Sequence, residues 1–272
     1  MVKTIIITDL DGTLLHPITY SFEAAIPGIA LIKEKGIPLI FCSSKTRAEI
    51  EMWRKRLDNV HPFISENGGG IFIPKRYFRN ISSKDIIDCA EYNTIILGRP
   101  YKEIREIFMA IRNRLNINAR GFGDMDAKEV AVLTGMGLKE AELAKARDFD
   151  EPFIFKEGET RIKDFLSAIE DAYLKWTQGR FYHILGDNDK GRAVKILKGF
   201  YEKVFRDIKI IGLGNNLNDL PLLKEVDYPV LIPKEDGSYA PQVKLRNLRK
   251  VNKVGPEGWN DAVIELIGAF SD

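Results

Sequence analysis

Thr4-Ile5-Ile6-Ile7-Thr8-Asp9-Leu10-Asp11-Gly12-Thr13 is a run of β-branched residues that stops on two aspartates one residue apart. A short apolar run of this kind reads as a buried strand, and Asp-Gly is a common turn pair. Downstream, Pro27–Lys35 reads as a helix closed by Gly36, and Ile37–Cys42 as a second strand. This alternation predicts a parallel sheet with helices on both faces. Thr46-Arg47-Ala48-Glu49 is a capping-box pattern that starts a helix running towards Leu57. Pro62–Ser65 reads as a further strand, and Glu66-Asn67-Gly68-Gly69-Gly70 as the turn of a hairpin into Ile71-Phe72-Ile73.

From about Ser82 the rhythm loosens. Apolar spacing predicts helices through Ile104, Ile107, Phe108, Ile111 and Leu115, and through Ile162, Phe165, Leu166, Ile169 and Tyr173. Strand candidates lie at Thr94–Leu97, Val130–Leu133, Pro152–Phe155 and Phe181–Leu185. Residues 82–186 therefore read as an inserted α+β module, one sheet covered by two main helices. The doubly wound pattern then resumes with a helix at Lys190–Phe205, a strand at Ile208–Leu213, a short helix at Asp219–Glu225, a strand at Tyr228–Ile232 and a last helix at Pro256–Phe270. The fold expected is α/β: a doubly wound, Rossmann-like parallel-sheet core in two parts, 1–81 and 187–272, with the inserted α+β domain between them.

A chain of 272 residues can bury a core of that size. Hydrophobic residues make up 44% and charged residues 29%, the balance of an ordinary globular protein. Net charge is +2 with no basic tract interleaved with aromatics, so nucleic acid is not an expected partner. The opening apolar run meets Asp9 too early for a signal peptide, and no stretch approaches the roughly 20 apolar residues of a membrane span. A cytoplasmic location without membrane attachment is expected. Cys42 and Cys89 are too few for a disulfide framework, and no cysteine or histidine cluster offers a zinc site. His16, His61 and His183 stand alone and read as surface or packing residues. Gln178 and Gln242 are the only glutamines, and many Lys, Glu and Ile residues accompany them, a bias associated with hot environments.

Ligands of an open parallel sheet gather beyond the carboxyl ends of its strands. The residues there form one set: Asp9 and Asp11 after the first strand, Ser43, Ser44 and Lys45 after the second, and Asn215, Asn218 and Asp219 after the strand at 208–213, with Lys190 opening the helix that re-enters the core. A turn explains Asp11-Gly12 alone, but not an acidic pair, a hydroxyl and a lysine at one sheet edge. No Gly-x-x-x-x-Gly-Lys loop is present, and Gly212-Leu213-Gly214 lacks the third glycine of a dinucleotide fingerprint, so neither ATP nor NAD is expected.

Asp9-Leu10-Asp11-Gly12-Thr13, Ser43, Lys190 and Asn218-Asp219 resemble the four motifs of the haloacid dehalogenase-like phosphatase superfamily. The insertion is similar to the large cap of its sugar-phosphate branch. Cys42-Ser43-Ser44-Lys45-Thr46-Arg47, Glu66-Asn67-Gly68-Gly69-Gly70, Arg120-Gly121-Phe122-Gly123-Asp124-Met125, Arg147-Asp148-Phe149-Asp150-Glu151-Pro152-Phe153 and Gly255-Pro256-Glu257-Gly258-Trp259 resemble the mannosyl-3-phosphoglycerate phosphatases within that branch. The resemblance implies a magnesium-dependent phosphatase acting on a small phosphate ester, with Asp9, Asp11, Ser43 and Lys190 catalytic. It implies metal binding at Asp9, Asp11, Asn215 and Asp219, and substrate contacts from Ser44, Lys45, Arg120, Asp124, Arg147 and Glu151. The reaction it implies converts mannosyl-3-phosphoglycerate to mannosylglycerate, a compatible solute, and phosphate. Another sugar-phosphate or small-ester phosphatase, a phosphohexomutase and a non-catalytic sugar-phosphate binder are the alternatives. Oligomeric state is not indicated by these residues.

The chemistry suits the residue types. A carboxylate nucleophile, Asp9, splits the reaction through an acyl phosphate. One carboxyl, Asp11, can serve first as acid and then as base. Lys190 and the Ser43 hydroxyl offset charge on the phosphoryl oxygens. Asn215 stands where the superfamily usually carries an acid, which predicts a raised magnesium requirement.

Overall fold

The computed structural model describes residues 2–79, 85–89 and 91–270. Strand β1 (Lys3–Thr8), helix α1 (Ile26–Glu34), β2 (Leu39–Cys42), α2 (Arg47–Arg56) and β3 (Phe63–Ser65) follow the alternation expected, and β4 (Gly70–Pro74) completes the hairpin. Then come β5 (Ile87–Cys89) and β6 (Tyr92–Ile96). The middle of the chain forms α3 (Tyr101–Leu115), β7 (Ala119–Gly121), α4 (Ala127–Thr134), α5 (Leu138–Lys145), β8 (Asp150–Phe155), α6 (Ile162–Asp171), β9 (Lys175–Gln178) and β10 (Tyr182–Leu185). The last part supplies α7 (Lys190–Val204), β11 (Ile208–Gly214), α8 (Leu220–Lys224), β12 (Tyr228–Leu231), β13 (Arg249–Lys250) and α9 (Gly255–Ala269).

Two sheets result, in the orders β13-β12-β11-β1-β2-β3-β4-β6-β5 and β7-β8-β10-β9. In the larger, β13 through β3 run parallel and β4, β6 and β5 are antiparallel additions. β1 lies inside the sheet with helices on both sides: Ile6 packs with α1, α2 and α9, whereas Ile5 and Ile7 pack with α7 and α8. This is the near-continuous apolar run of a strand covered on both faces. The capping box is formed, with Glu49 N donating to Thr46 Oγ1 at 3.1 Å and Thr46 N donating to Glu49 Oε2 at 2.9 Å. The smaller sheet is antiparallel throughout, and α3 and α6 cover one of its faces.

Two strand expectations are corrected. Val130–Leu133 lies inside helix α4, started by Asp126 and Glu129 in a capping box and ended by Gly135 in the left-handed region. Those end signals outweigh the β propensity of a four-residue apolar run. The strand expected at Thr94–Leu97 within the inserted module is β6, and it pairs with β4 in the larger sheet. There Tyr92 packs edge-on against Phe63 and Phe72, which stack at 4.9 Å. The junction expected at residues 81 and 82 lies outside the described residues. No helix among the described residues is long and apolar enough to cross a membrane.

Candidate active site

Asp9 follows β1 directly, and its amide still pairs with Leu213 O of β11. The chain then turns back on itself at Gly12, whose φ of 74° is readily available to glycine. Asp9 is 5% exposed. Lys190, the first residue of α7, is fully buried and donates from Nζ to Asp9 Oδ1 at 2.7 Å and to Asp219 Oδ1 at 2.6 Å. Its helix is capped by Asp189, whose side chain accepts from Arg192 N at 2.8 Å. Burial opposes the charge of Lys190, but the carboxylates of Asp219 and Asp9 outweigh it and hold the lysine protonated. Burial, then the neighbouring Asp219, pushes the Asp9 carboxyl up to about 7 against the pull of Lys190. Removing Lys190 would strand two buried carboxylates, a change that costs about 3–5 kcal/mol.

Asp219 has no oxygen to spare. Oδ1 faces Lys190, and Oδ2 accepts the amides of Asn215 at 2.8 Å and Asn216 at 3.0 Å. It anchors the loop after β11. Asp11 is differently placed: Oδ2 lies 3.0 Å from Lys45 Nζ, while Oδ1 is buried with no hydrogen-bond partner among the described residues. Lys45 is held in turn by Glu49 Oε1 at 3.1 Å. Ser43 is fully buried beneath this loop, its Oγ accepting the Lys45 amide at 3.3 Å. Ser44 and Lys45, one and two residues on, line the cavity.

The donor set for magnesium consists of hard oxygens. Asp9 Oδ2 accepts no hydrogen bond among the described residues, and the Asp11 main-chain carbonyl lies 3.2 Å from the side-chain amide of Asn215. No group of three or more His, Cys, Asp or Glu residues that could hold a metal occurs among the described residues. Asn215 donates Nδ2 to the Asp11 carbonyl, and its own Oδ1 accepts from Asn216 Nδ2 at 3.0 Å, so its amide must turn before its oxygen faces a cation. With that turn the oxygens of Asp9, the Asp11 main chain and Asn215 could hold magnesium with one charge fewer than an all-carboxylate site.

Asp9 and Asp11 open into a cavity of about 470 Å³ between the two sheets. Its lining mixes the polar Lys45, Glu49, Arg147, His183, Asn216 and Asn218 with Tyr20, Phe122, Met136 and Phe181. Of the four cap residues expected to meet substrate, Arg147 alone lines this cavity. Its Nη1 donates to Ser44 O and to Asp150 Oδ1, both at 2.7 Å. Glu151 turns to the opposite face of β8, where it accepts from Tyr101 Oη at 2.7 Å and Arg105 Nη1 at 3.0 Å. Asp124 accepts from Arg105 Nη2 at 2.6 Å and Arg112 Nη1 at 2.7 Å. Arg120 pairs with Glu129 at 2.8 Å beside a separate surface depression. The structure places these three away from the cavity, where they build the inserted unit.

Several residues that do line or support the cavity have no motif of their own. His183, read above as a surface or packing residue, is 4% exposed on the cavity wall, and its Nδ1 lies 3.0 Å from Asp150 Oδ2. Asp150 Oδ2 also accepts from Asn67 Nδ2 at 3.0 Å, and Asn67 Oδ1 accepts from Asn218 Nδ2 at 3.1 Å. Glu66 accepts the amides of Asp148, Phe149 and Asp150 at 2.8–3.1 Å. Glu66 and Asn67 stand at φ 45° and 54°, and that uncommon backbone turns both side chains towards β8. The one sequence signal that could have found Asp150 is strand alternation, since it and Glu151 must face opposite ways.

The sequence profile described as haloacid dehalogenase-like hydrolase matches residues 6–235. A glucosyl-3-phosphoglycerate/mannosyl-3-phosphoglycerate phosphatase of Methanococcoides burtonii is 48% identical over 267 residues, 98% of each chain. One of the same name from Persephonella marina is 44% identical over 97% of each chain. Among solved structures, a protein of Thermoplasma acidophilum superposes with a TM-score of 0.68 at 16% identity, covering 98% of this chain and 99% of its own, a likeness of fold.

Proposed function

The chain belongs to the haloacid dehalogenase-like hydrolases, and from that premise we propose that it is a phosphatase that releases phosphate from a glycosyl-3-phosphoglycerate by way of a phosphorylated Asp9. The observation that carries this reading is the pair of carboxyls, Asp9 and Asp11, that line one cavity two residues apart. Lys190 takes Asp9 Oδ1 and leaves Oδ2 to attack, while Lys45 takes Asp11 Oδ2 and leaves Oδ1 facing no partner.

Asp9 Oδ2 forms a bond to phosphorus as the bond to the sugar-acid oxygen breaks. Asp11, as general acid, gives that departing oxygen its proton. Asp11, now a carboxylate, takes a proton from the water that attacks the acyl phosphate, and phosphate leaves with Asp9 restored. Lys190 stays charged throughout and offsets charge gathering on Asp9 and the phosphoryl oxygens. Magnesium, held by Asp9, the Asp11 main-chain carbonyl and Asn215, would supply further positive charge against those oxygens.

The inserted unit, residues 82–186 less the two strands that join the larger sheet, serves in this reading as the cap over the site. The substrate of the M. burtonii and P. marina relatives has a phosphate, a carboxylate and a sugar, and the cavity lining offers the cationic Lys45 and Arg147 among other polar and aromatic side chains. A panel of phosphate esters assayed for released phosphate tests the substrate. Glucosyl- and mannosyl-3-phosphoglycerate should give the highest kcat/KM, and a higher value for a plain hexose phosphate would overturn the assignment. A beryllium-fluoride adduct on Asp9, seen by crystallography or mass spectrometry, tests the intermediate. Transfer to a second sugar in place of phosphate release would make the protein a mutase.

A further inference from the structure

We propose that His183 is the residue through which the cap reads the sugar of the substrate, its Nε2 accepting a hydrogen bond from a ring hydroxyl. This rests on the glycosyl-3-phosphoglycerate reading and assigns the recognition of one part of that substrate. In the antiparallel pair of β8 and β10, His183 stands opposite Pro152, and both line the cavity. Ile184, its neighbour, packs into the cluster under α3 and α6 on the other face. Strand alternation therefore commits the imidazole to the cavity side.

The tautomer follows from its partner. Burial works against charge on Asp150, but the Arg147 guanidinium, helped by hydrogen bonds from His183 and Asn67, outweighs it and holds the carboxyl below its ordinary range, so Asp150 is an acceptor. Nδ1, 3.0 Å away, must then carry the hydrogen. In the neutral ring this leaves Nε2 as an acceptor, and Nε2 makes no hydrogen bond among the described residues. Rotation is restrained as well, because Asp150 is gripped by Arg147 at 2.7 Å and by Asn67 at 3.0 Å. Asn67 is tied at 3.1 Å to Asn218, next to Asp219. A buried acceptor of fixed direction matches a donor, and among the parts of a phosphorylated sugar acid the donors are hydroxyls. In the neutral ring a carboxylate or phosphate would meet the lone pair of Nε2 with its own, whereas a hydroxyl, donor and acceptor at once, pairs with Nε2 in either charge state.

The test compares two esters on one preparation, so that a loss of folded protein cancels. Each enzyme is assayed with the preferred glycosyl-3-phosphoglycerate and with 3-phosphoglycerate, which lacks the sugar, and the ratio of kcat/KM values is the readout. His183→Asn places a short amide towards Asp150 and removes the far nitrogen, and it should lower the ratio about tenfold, the scale of one buried hydrogen bond. His183→Gln carries a carbonyl oxygen to about the position of Nε2 and should recover part of it. A ratio unchanged in His183→Asn, or lowered equally in both variants, would overturn the inference. A wild-type enzyme that hydrolyses both esters alike would instead overturn the substrate reading, and the role of His183 with it.

Discussion

The two sheets present their functional residues in different ways. In the larger sheet the site lies beyond strand ends: Asp9 after β1, Ser43 after β2, Asn215 and Asp219 after β11. Each is marked in the sequence by a switch from apolar run to polar cluster. In the smaller sheet the site residues lie within strands, where Asp150, Pro152 and His183 face the cavity and Glu151, Phe153 and Ile184 face the helices. Position along the chain then says less than parity does. In the proposed reading the first arrangement holds the chemistry and the second the discrimination between substrates.

The comparison can be broken at several points. The largest effect should come from Asp9→Asn, which removes the nucleophile with little change of shape: kcat should fall by on the order of 10⁴ or more with every ester. An unchanged rate would end the proposed mechanism. Asp150→Asn comes next. It strips Arg147 and His183 of their shared charge partner, so kcat/KM for the glycosyl ester should drop on the order of 100-fold. A smaller effect than that of Glu151→Gln would reverse the assignment of faces.

Asn215→Asp restores a charge to the metal site. The magnesium concentration for half-maximal activity, and the affinity measured by calorimetry without substrate, should both improve by about tenfold. No tightening would mean that the amide is already an adequate donor. Smallest for activity is Glu151→Gln. It should leave KM within about twofold while lowering thermal stability by about 1–3 kcal/mol, because the residue ties Tyr101 and Arg105 to β8. A marked rise in KM with no loss of stability would return Glu151 to the substrate.

The contrast also explains how far the sequence could be read. Alternating strands and helices around Asp9 announced the core, and the polar clusters after β1, β2 and β11 announced the residues gathered at its edge, because a parallel sheet places both by chain order. The long helices α3 and α6 were legible from their apolar stripes. The cap's working face was not. Arg120, Asp124 and Glu151 were chosen for charge, yet Arg105 and Arg112, unremarkable on a helix, take up Asp124, and Arg105 reaches Glu151 as well. His183 passed as a packing residue because the partner that gives it meaning is Asp150, on a neighbouring strand. Val130–Leu133 was misjudged because its composition was weighed above the helix-ending signals around it. Nor does a strand-end pattern announce that Asp219 accepts from Lys190 and from the amides of Asn215 and Asn216.

Glu66 closes its carboxylate over three consecutive main-chain amides where β8 begins. Main chain is the same whatever side chains it bears, so this grip is blind to the identity of residues 148–150. What it fixes is phase: which residue is first on the strand, and hence which alternate set looks inward. Point substitutions along β8 can redraw the recognised surface while the strand stays seated, whereas insertion or loss of one residue just after the grip would turn the pattern inside out. Descendants of this chain are thus free to change their diet by spelling, but not by counting.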